Sequence, residues 1–102
     1  MEIKDAVRLA IAFAIDSLGP DRTINIRLEE VESSTINGNA VWLITLSSAL
    51  IDGAHDSPLK AVRAAAASMG YETEREYKIF TVEKDTGEIL SMKIRQLAAL
   101  TP

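Results

Sequence analysis

The sequence contains no cysteine and a single histidine, His55. The absence of cysteine excludes disulfides, thiolate metal sites and cysteine nucleophiles. A serine nucleophile would depend on His55 as its base, and neither a glycine-flanked nucleophile turn nor a phosphate-binding glycine loop accompanies it. We therefore expect a noncatalytic protein that needs no cofactor and no metal.

Basic residues are in the minority, with 11 Lys and Arg against 15 Asp and Glu and a formal net charge of -4. Because affinity for phosphate backbones comes mostly from Lys and Arg, this balance disfavours nucleic acid and, equally, anionic membrane surfaces as partners.

Long hydrophobic runs are also missing. The apolar stretch over residues 9–15 is too short to span a bilayer, is preceded by Glu2 and Asp5, and ends at Asp16. It therefore does not fit a signal peptide, and we expect a cytoplasmic protein.

The chain has 102 residues and is 47% hydrophobic, which suits a single domain over residues 1–102. Helical spacing of apolar residues predicts an amphipathic helix over residues 3–18, ended by Gly19 and Pro20. Its apolar stripe contains Ile3, Val7, Ala10, Ile11, Ala14 and Leu18. Leu9 and Phe13 lie off this stripe, so this flank is either sunk deep in the core or faces a partner.

A first hairpin is predicted around a two-residue turn at Asn37-Gly38. Residues 23–29 alternate with period two, Val31 breaks the phase, and a β-bulge at Glu29-Glu30 restores it. This register sets Val31 opposite Ile44. The predicted core face comprises Ile24, Ile26, Leu28, Val31, Trp42, Ile44, Leu46 and Leu50.

A shorter second helix is predicted over residues 57–70, with Ser57 as its N-cap and Gly70 at its end. A second hairpin follows over residues 76–95, where a three-residue loop, Asp85-Thr86-Gly87, would place glycine at positive φ. In this register the opposed pairs are Val82 with Leu90, Phe80 with Met92, Lys78 with Ile94, and, on the other face, Glu83 with Ile89.

Together these elements predict an α+β fold, in which a four-stranded antiparallel sheet of two hairpins packs on the long N-terminal helix. If both helices cover one side, an apolar patch containing Ile89 remains on the other. The candidate interaction surface comprises this outer face or the flank of the first helix. Its residues are Leu9, Phe13, Val41, Leu43, Tyr77, Ile79, Lys93 and Arg95.

Two short patterns are typical of catalytic or metal sites but also of ordinary loops. Asp85-Thr86-Gly87 matches the tripeptide of aspartic proteases, but Lys84 and Glu88 flank it where that family has apolar or small residues, which favours a turn. Asp52, His55 and Asp56 cluster in one polar segment, which supports an enzyme only as a third hypothesis.

The segment from Val82 through Leu90, extended to Met92, resembles the terminal hairpin of PepSY-type domains and looks like small domains of cystatin-like shape. The resemblance implies a noncatalytic regulatory or binding module and assigns a role to no residue.

The leading hypothesis is a noncatalytic protein-interaction or regulatory module that associates with itself as a dimer or with a partner protein. The alternative is a small-molecule binding domain with a pocket between helix and sheet, where Trp42 or Tyr77 would contact the ligand.

Overall fold

The computed structural model describes residues 1–49 and 75–95. The described elements are a helix α1 (Ile3–Leu18), a short 3-10 turn (Pro20–Arg22), and four strands, β1 (Arg27–Ile36), β2 (Asn39–Ala49), β3 (Arg75–Glu83) and β4 (Ile89–Ile94). The strands form one antiparallel sheet in the order β1-β2-β3-β4. The predicted α+β architecture is confirmed, while the second helix, predicted over residues 57–70, lies outside the described residues.

Helix α1 has the predicted bounds, and the Gly19 N–H donates to the Ile15 carbonyl at 3.0 Å with Gly19 at φ 84°. Its buried line consists of Ala6, Ala10 and Ala14, whose small side chains let the helix backbone approach the sheet closely. Ile3 was predicted in this stripe but is 46% exposed, because it lies one turn beyond the N-terminal end of the alanine line.

The first hairpin has the predicted register, with Val31 opposite Ile44 and a bulge at Glu29. Asn37 and Gly38 both have positive φ, as a two-residue hairpin turn requires. The predicted strand start at residue 23 is wrong. Asn25 has φ 54°, which turns the chain, and β1 begins only at Arg27. Leu28 was also predicted in the core but is 47% exposed, because it lies on an edge strand and α1 packs mainly on β2.

The second hairpin departs from the prediction at its loop. The Glu83 N–H donates to the Glu88 carbonyl at 2.9 Å, which leaves a four-residue loop over residues 84–87. Val82 therefore pairs with Ile89 and not with Leu90, and Glu83 faces Glu88 and not Ile89. A bulge at Leu90 adds one residue to β4, so the predicted pairs of Phe80 with Met92 and Lys78 with Ile94 are confirmed.

The core lies between α1 and the inner face of the sheet. Its buried members are Ala6, Ala10, Ala14, Ile44, Leu46, Phe80 and Val82, and half-buried residues packed around them include Ile26, Val31, Trp42, Ile89 and Met92. Ile89, predicted on the outer face, thus belongs to the inner one. The opposite face of the sheet, which α1 does not cover, carries six residues of the candidate interaction surface, Val41, Leu43, Tyr77, Ile79, Lys93 and Arg95.

Candidate interaction surface

An open groove crosses the outer face of the sheet at the end where both hairpin loops lie. It has a volume of about 420 Å³. All four strands or their turns contribute to its lining, which consists of Ile36, Asn37, Leu43, Ile79, Thr81, Leu90, Ser91 and Lys93. We call these eight residues the outer groove.

The outer groove exposes apolar side chains. Leu90 is 42% and Ile36 39% exposed, and Leu43 and Ile79 are half-buried. Val41, predicted in the same surface, is fully buried on the central strand between Ser34 and Glu83 and adds no exposed area.

Leu90 and Ile36 were missing from the predicted surface for different reasons. Leu90 reaches the outer groove because of the bulge in β4, and no residue pattern in the sequence predicts this bulge. Ile36 was within reach of sequence reasoning, because pairing with Asn39 and the alternation after the Glu29 bulge already assign it to the outer face.

The opposite end of the outer face is polar, and its side chains form hydrogen bonds with one another. The Ser47 hydroxyl donates to Glu29 Oε2 at 2.5 Å, and Arg75 Nε donates to Ser47 Oγ at 2.8 Å. Because the bulged Glu29 reaches this hydroxyl, Ser47 is hydrogen-bonded although it is only 2% exposed. Tyr77, which pairs with Ser47 across β2 and β3, is half-buried at this end.

The two predicted cations of the surface differ in their contacts. Arg95 Nη1 donates to Glu30 Oε1 at 2.7 Å and to Thr45 Oγ1 at 2.8 Å, so its charge is engaged inside the chain. Lys93 is exposed and lines the outer groove, and within residues 1–49 and 75–95 it has neither an ion pair nor a side-chain hydrogen bond.

The helix flank of Leu9 and Phe13 contributes to packing within the chain. The Phe13 ring meets the Phe80 ring edge to face, and Leu9 Cδ1 lies 3.0 Å from the point where a Cβ on Gly87 would stand. Leu9 and Phe13 remain 38% and 36% exposed, so each side chain contacts the second hairpin and also presents part of its surface to solvent.

A small cavity lies between the C-terminal half of α1 and the sheet, with a volume of about 20 Å³. This volume holds about one water, whereas sites for drug-sized ligands have roughly 300 to 1,000 Å³. Neither Trp42 nor Tyr77 lines the cavity. The Trp42 indole N–H donates to the Met1 carbonyl at 3.4 Å, and the Lys84 ammonium lies 4.0 Å from the centre of the Trp42 ring.

Three charged residues, Arg22, Glu76 and Lys78, line part of this cavity. Lys78, buried on the inner face, donates to Glu76 Oε1, and Arg22 Nη2 donates to the same oxygen at 2.9 Å. Burial of Glu76 raises its pKa, but the hydrogen bonds and positive charges of Lys78 and Arg22 outweigh this effect and hold the pKa below its ordinary value.

The structure describes one of the two sequence patterns that are typical of catalytic sites. Asp85, Thr86 and Gly87 belong to the loop of the second hairpin, where the Glu88 N–H donates to Thr86 Oγ1 at 3.1 Å. Asp52, His55 and Asp56 lie outside the described residues.

Across the described ranges no three His, Cys, Asp or Glu side chains are grouped closely enough to hold a metal ion. No helix in that part of the chain is long and apolar enough to cross a membrane.

Comparisons with family models, with curated proteins and with solved structures found no match to this chain.

Proposed function

We propose that the protein is a noncatalytic interaction module that associates with a second copy of itself, with the outer groove as part of the contact surface. The observation that carries this proposal is the set of exposed apolar side chains in the outer groove, above all Leu90, which is 42% exposed on the edge strand β4. Contiguous apolar patches on a monomer are usually small unless they bind a partner. A noncatalytic module is also what the resemblance of the second hairpin to PepSY-type domains implies.

The charges around the outer groove favour a second copy as the partner. Lys93 is exposed in the groove, and the carboxylate of Glu83, on the neighbouring strand β3, lies on the same face opposite Val41. Neither of these two residues has an ion pair within the described ranges. A surface that carries both unpaired signs is complementary to itself when two copies meet about a twofold axis, and such pairs set orientation more than affinity.

The test is the oligomeric state of Leu90→Glu, measured by sedimentation equilibrium at micromolar concentration beside the wild type. We expect a dimeric wild type and a monomeric variant, because the substitution puts a carboxylate into the apolar part of the contact. Leu90 is already exposed, so its replacement should leave the fold intact, as circular dichroism would report.

Ile15→Glu is the matched control, because Ile15 is 48% exposed on α1 and lies away from the outer groove. It introduces the same charge and should leave the dimer unchanged. A strictly monomeric wild type would refute the proposal. A dimer that only Ile15→Glu disrupts would show that the contact surface lies on α1 and not at the outer groove.

A further inference from the structure

The two edges of the sheet differ in how well they are protected against pairing with another strand. At the β1 edge, Arg27, Glu29, Glu30 and Glu32 supply charge, and a bulge interrupts the strand at Glu29. Charges and bulges are common devices that keep edge strands apart. Strand β4 contains one charged residue, Lys93, and its bulge at Leu90 stands near its start, which leaves residues 91–94 regular.

The backbone of β4 has hydrogen-bonding groups directed away from its own sheet. The Arg95 N–H donates to the Tyr77 carbonyl at 2.9 Å. Because an antiparallel ladder alternates hydrogen-bonded and non-hydrogen-bonded pairs, the N–H and C=O groups of Met92 and Ile94 point outward. Strand β4 is last in the sheet order, so no described strand pairs with these groups.

From this geometry we infer that the two copies of the proposed dimer pair antiparallel along β4, with Met92 opposite Met92 of the second copy. The inference rests on the proposed self-association and specifies its geometry. The two Met92 residues then exchange both backbone hydrogen bonds, and the two sheets become one sheet of eight strands.

Charge selects this register over its neighbour. A twofold axis at Lys93 would set two ammonium groups directly opposite each other, and like charges in that position are destabilising. An axis at Met92 sets each Lys93 opposite Ser91 of the second copy and keeps the outward groups of Met92 and Ile94 in the ladder.

The same pairing joins the outer grooves of the two copies at strand β4. Leu90, Ser91 and Lys93 form the wall of the groove along β4. When two β4 strands pair, these walls meet across the axis, and the two grooves continue into each other as one surface. Leu43, two strands away on β2, stays outside the contact, whereas stacking of one outer face on the other would bury it.

The first experiment replaces Ile94 by proline, with Ile94→Thr as the control. Ile94 is 71% exposed and its N–H points outward, and proline is tolerated on edge strands in that orientation. Both variants should fold, as judged by circular dichroism and melting temperature. Proline should weaken dimerisation at least about tenfold by removing the Ile94 donor in each copy, whereas threonine keeps the donor and should change it far less. A folded Ile94→Pro protein that dimerises like the wild type would overturn the β4 pairing and leave self-association standing.

A second experiment uses the absence of cysteine from the chain. In a hydrogen-bonded antiparallel pair the Cα atoms lie about 5.5 Å apart, which is within the range that a disulfide bridges. Met92→Cys should therefore form a covalent dimer under mild oxidation, and Leu43→Cys should not. Efficient cross-linking through Leu43→Cys with none through Met92→Cys would instead mean that the faces stack. A wild type that stays monomeric would refute the proposed function itself, which keeps the two failures distinct.

Discussion

The ring of Phe13 on α1 meets the ring of Phe80 on β3 edge to face, with centroids 6.3 Å apart and planes at 82°. Phe80 is the largest fully buried side chain described, so this contact ties the flank of the helix to the centre of the sheet. Phe13 therefore has a role inside the chain that does not require a partner.

Replacement of Phe13 by leucine should lower the free energy of unfolding by about 1 kcal/mol, because edge-to-face aromatic pairs contribute about that much beyond the area they bury. Urea unfolding measures the change in stability. Sedimentation equilibrium should show that the Phe13→Leu variant has the same oligomeric state as the wild type. Ile15→Leu, an aliphatic exchange at an exposed position of the same helix, is the control and should change stability by less than about 0.5 kcal/mol. If Phe13→Leu shifted the association equilibrium without a loss of stability, the helix flank would be an interface after all.

Gly87 has φ 78°, and a Cβ there would stand 2.7 Å from Met1 Cε and 3.0 Å from Leu9 Cδ1. Gly87→Val should destabilise the protein by on the order of 1 to 2 kcal/mol from the backbone alone, with a further loss because Met1 and Leu9 must shift. Gly38→Val is the matched control, because Gly38 has φ 83° and no atom within 4 Å of its Cβ position. The melting temperature of Gly87→Val should be lower than that of Gly38→Val, and both should be lower than that of the wild type. An unchanged melting temperature for Gly87→Val would contradict the positive φ of Gly87 in this loop.

Glu76 neutralises the buried Lys78, and its pKa is lowered from the ordinary 4.5. The unfolded chain therefore binds a proton to Glu76 more readily than the folded chain does. The stabilisation from this carboxylate is complete above about pH 4.5 and is lost as the pH falls through the lower folded pKa. Urea unfolding across this pH range should show that the free energy of unfolding falls more steeply with decreasing pH in the wild type than in Glu76→Gln.

At neutral pH, Glu76→Gln should cost on the order of 2 to 3 kcal/mol, because it leaves the Lys78 ammonium buried without its carboxylate. Lys78→Met in the same chain should recover much of this loss, since it removes the stranded charge and keeps the side-chain volume. Equal stability of the wild type and Glu76→Gln at pH 7 would mean that the pair is too well solvated to matter.

Sequence reasoning found the second hairpin but not the details of its loop. A three-residue loop without a bulge and a four-residue loop with a bulge at Leu90 both set Phe80 opposite Met92. The apolar alternation of the strands is the same in both cases, so it cannot choose between them. The difference matters because it exchanges Ile89 and Leu90 between the faces of the sheet and so decides which of them lines the outer groove.

The local features of this protein follow from its amino-acid sequence alone. The bounds of α1, the turn at Asn37-Gly38 and the bulge at Glu29 follow from side-chain periodicity and from backbone steric preferences, which act over a few neighbouring residues. The exposure of individual side chains and the pairing of charges depend instead on how the helix and the two hairpins pack together. Val41 is fully buried while Leu28 is 47% exposed, and Arg95 is held by Glu30, 65 positions earlier in the chain. Exposure and ion pairing depend on neighbours supplied by distant elements, and residue spacing within one hairpin does not tell which residues of another hairpin or of the helix those neighbours are.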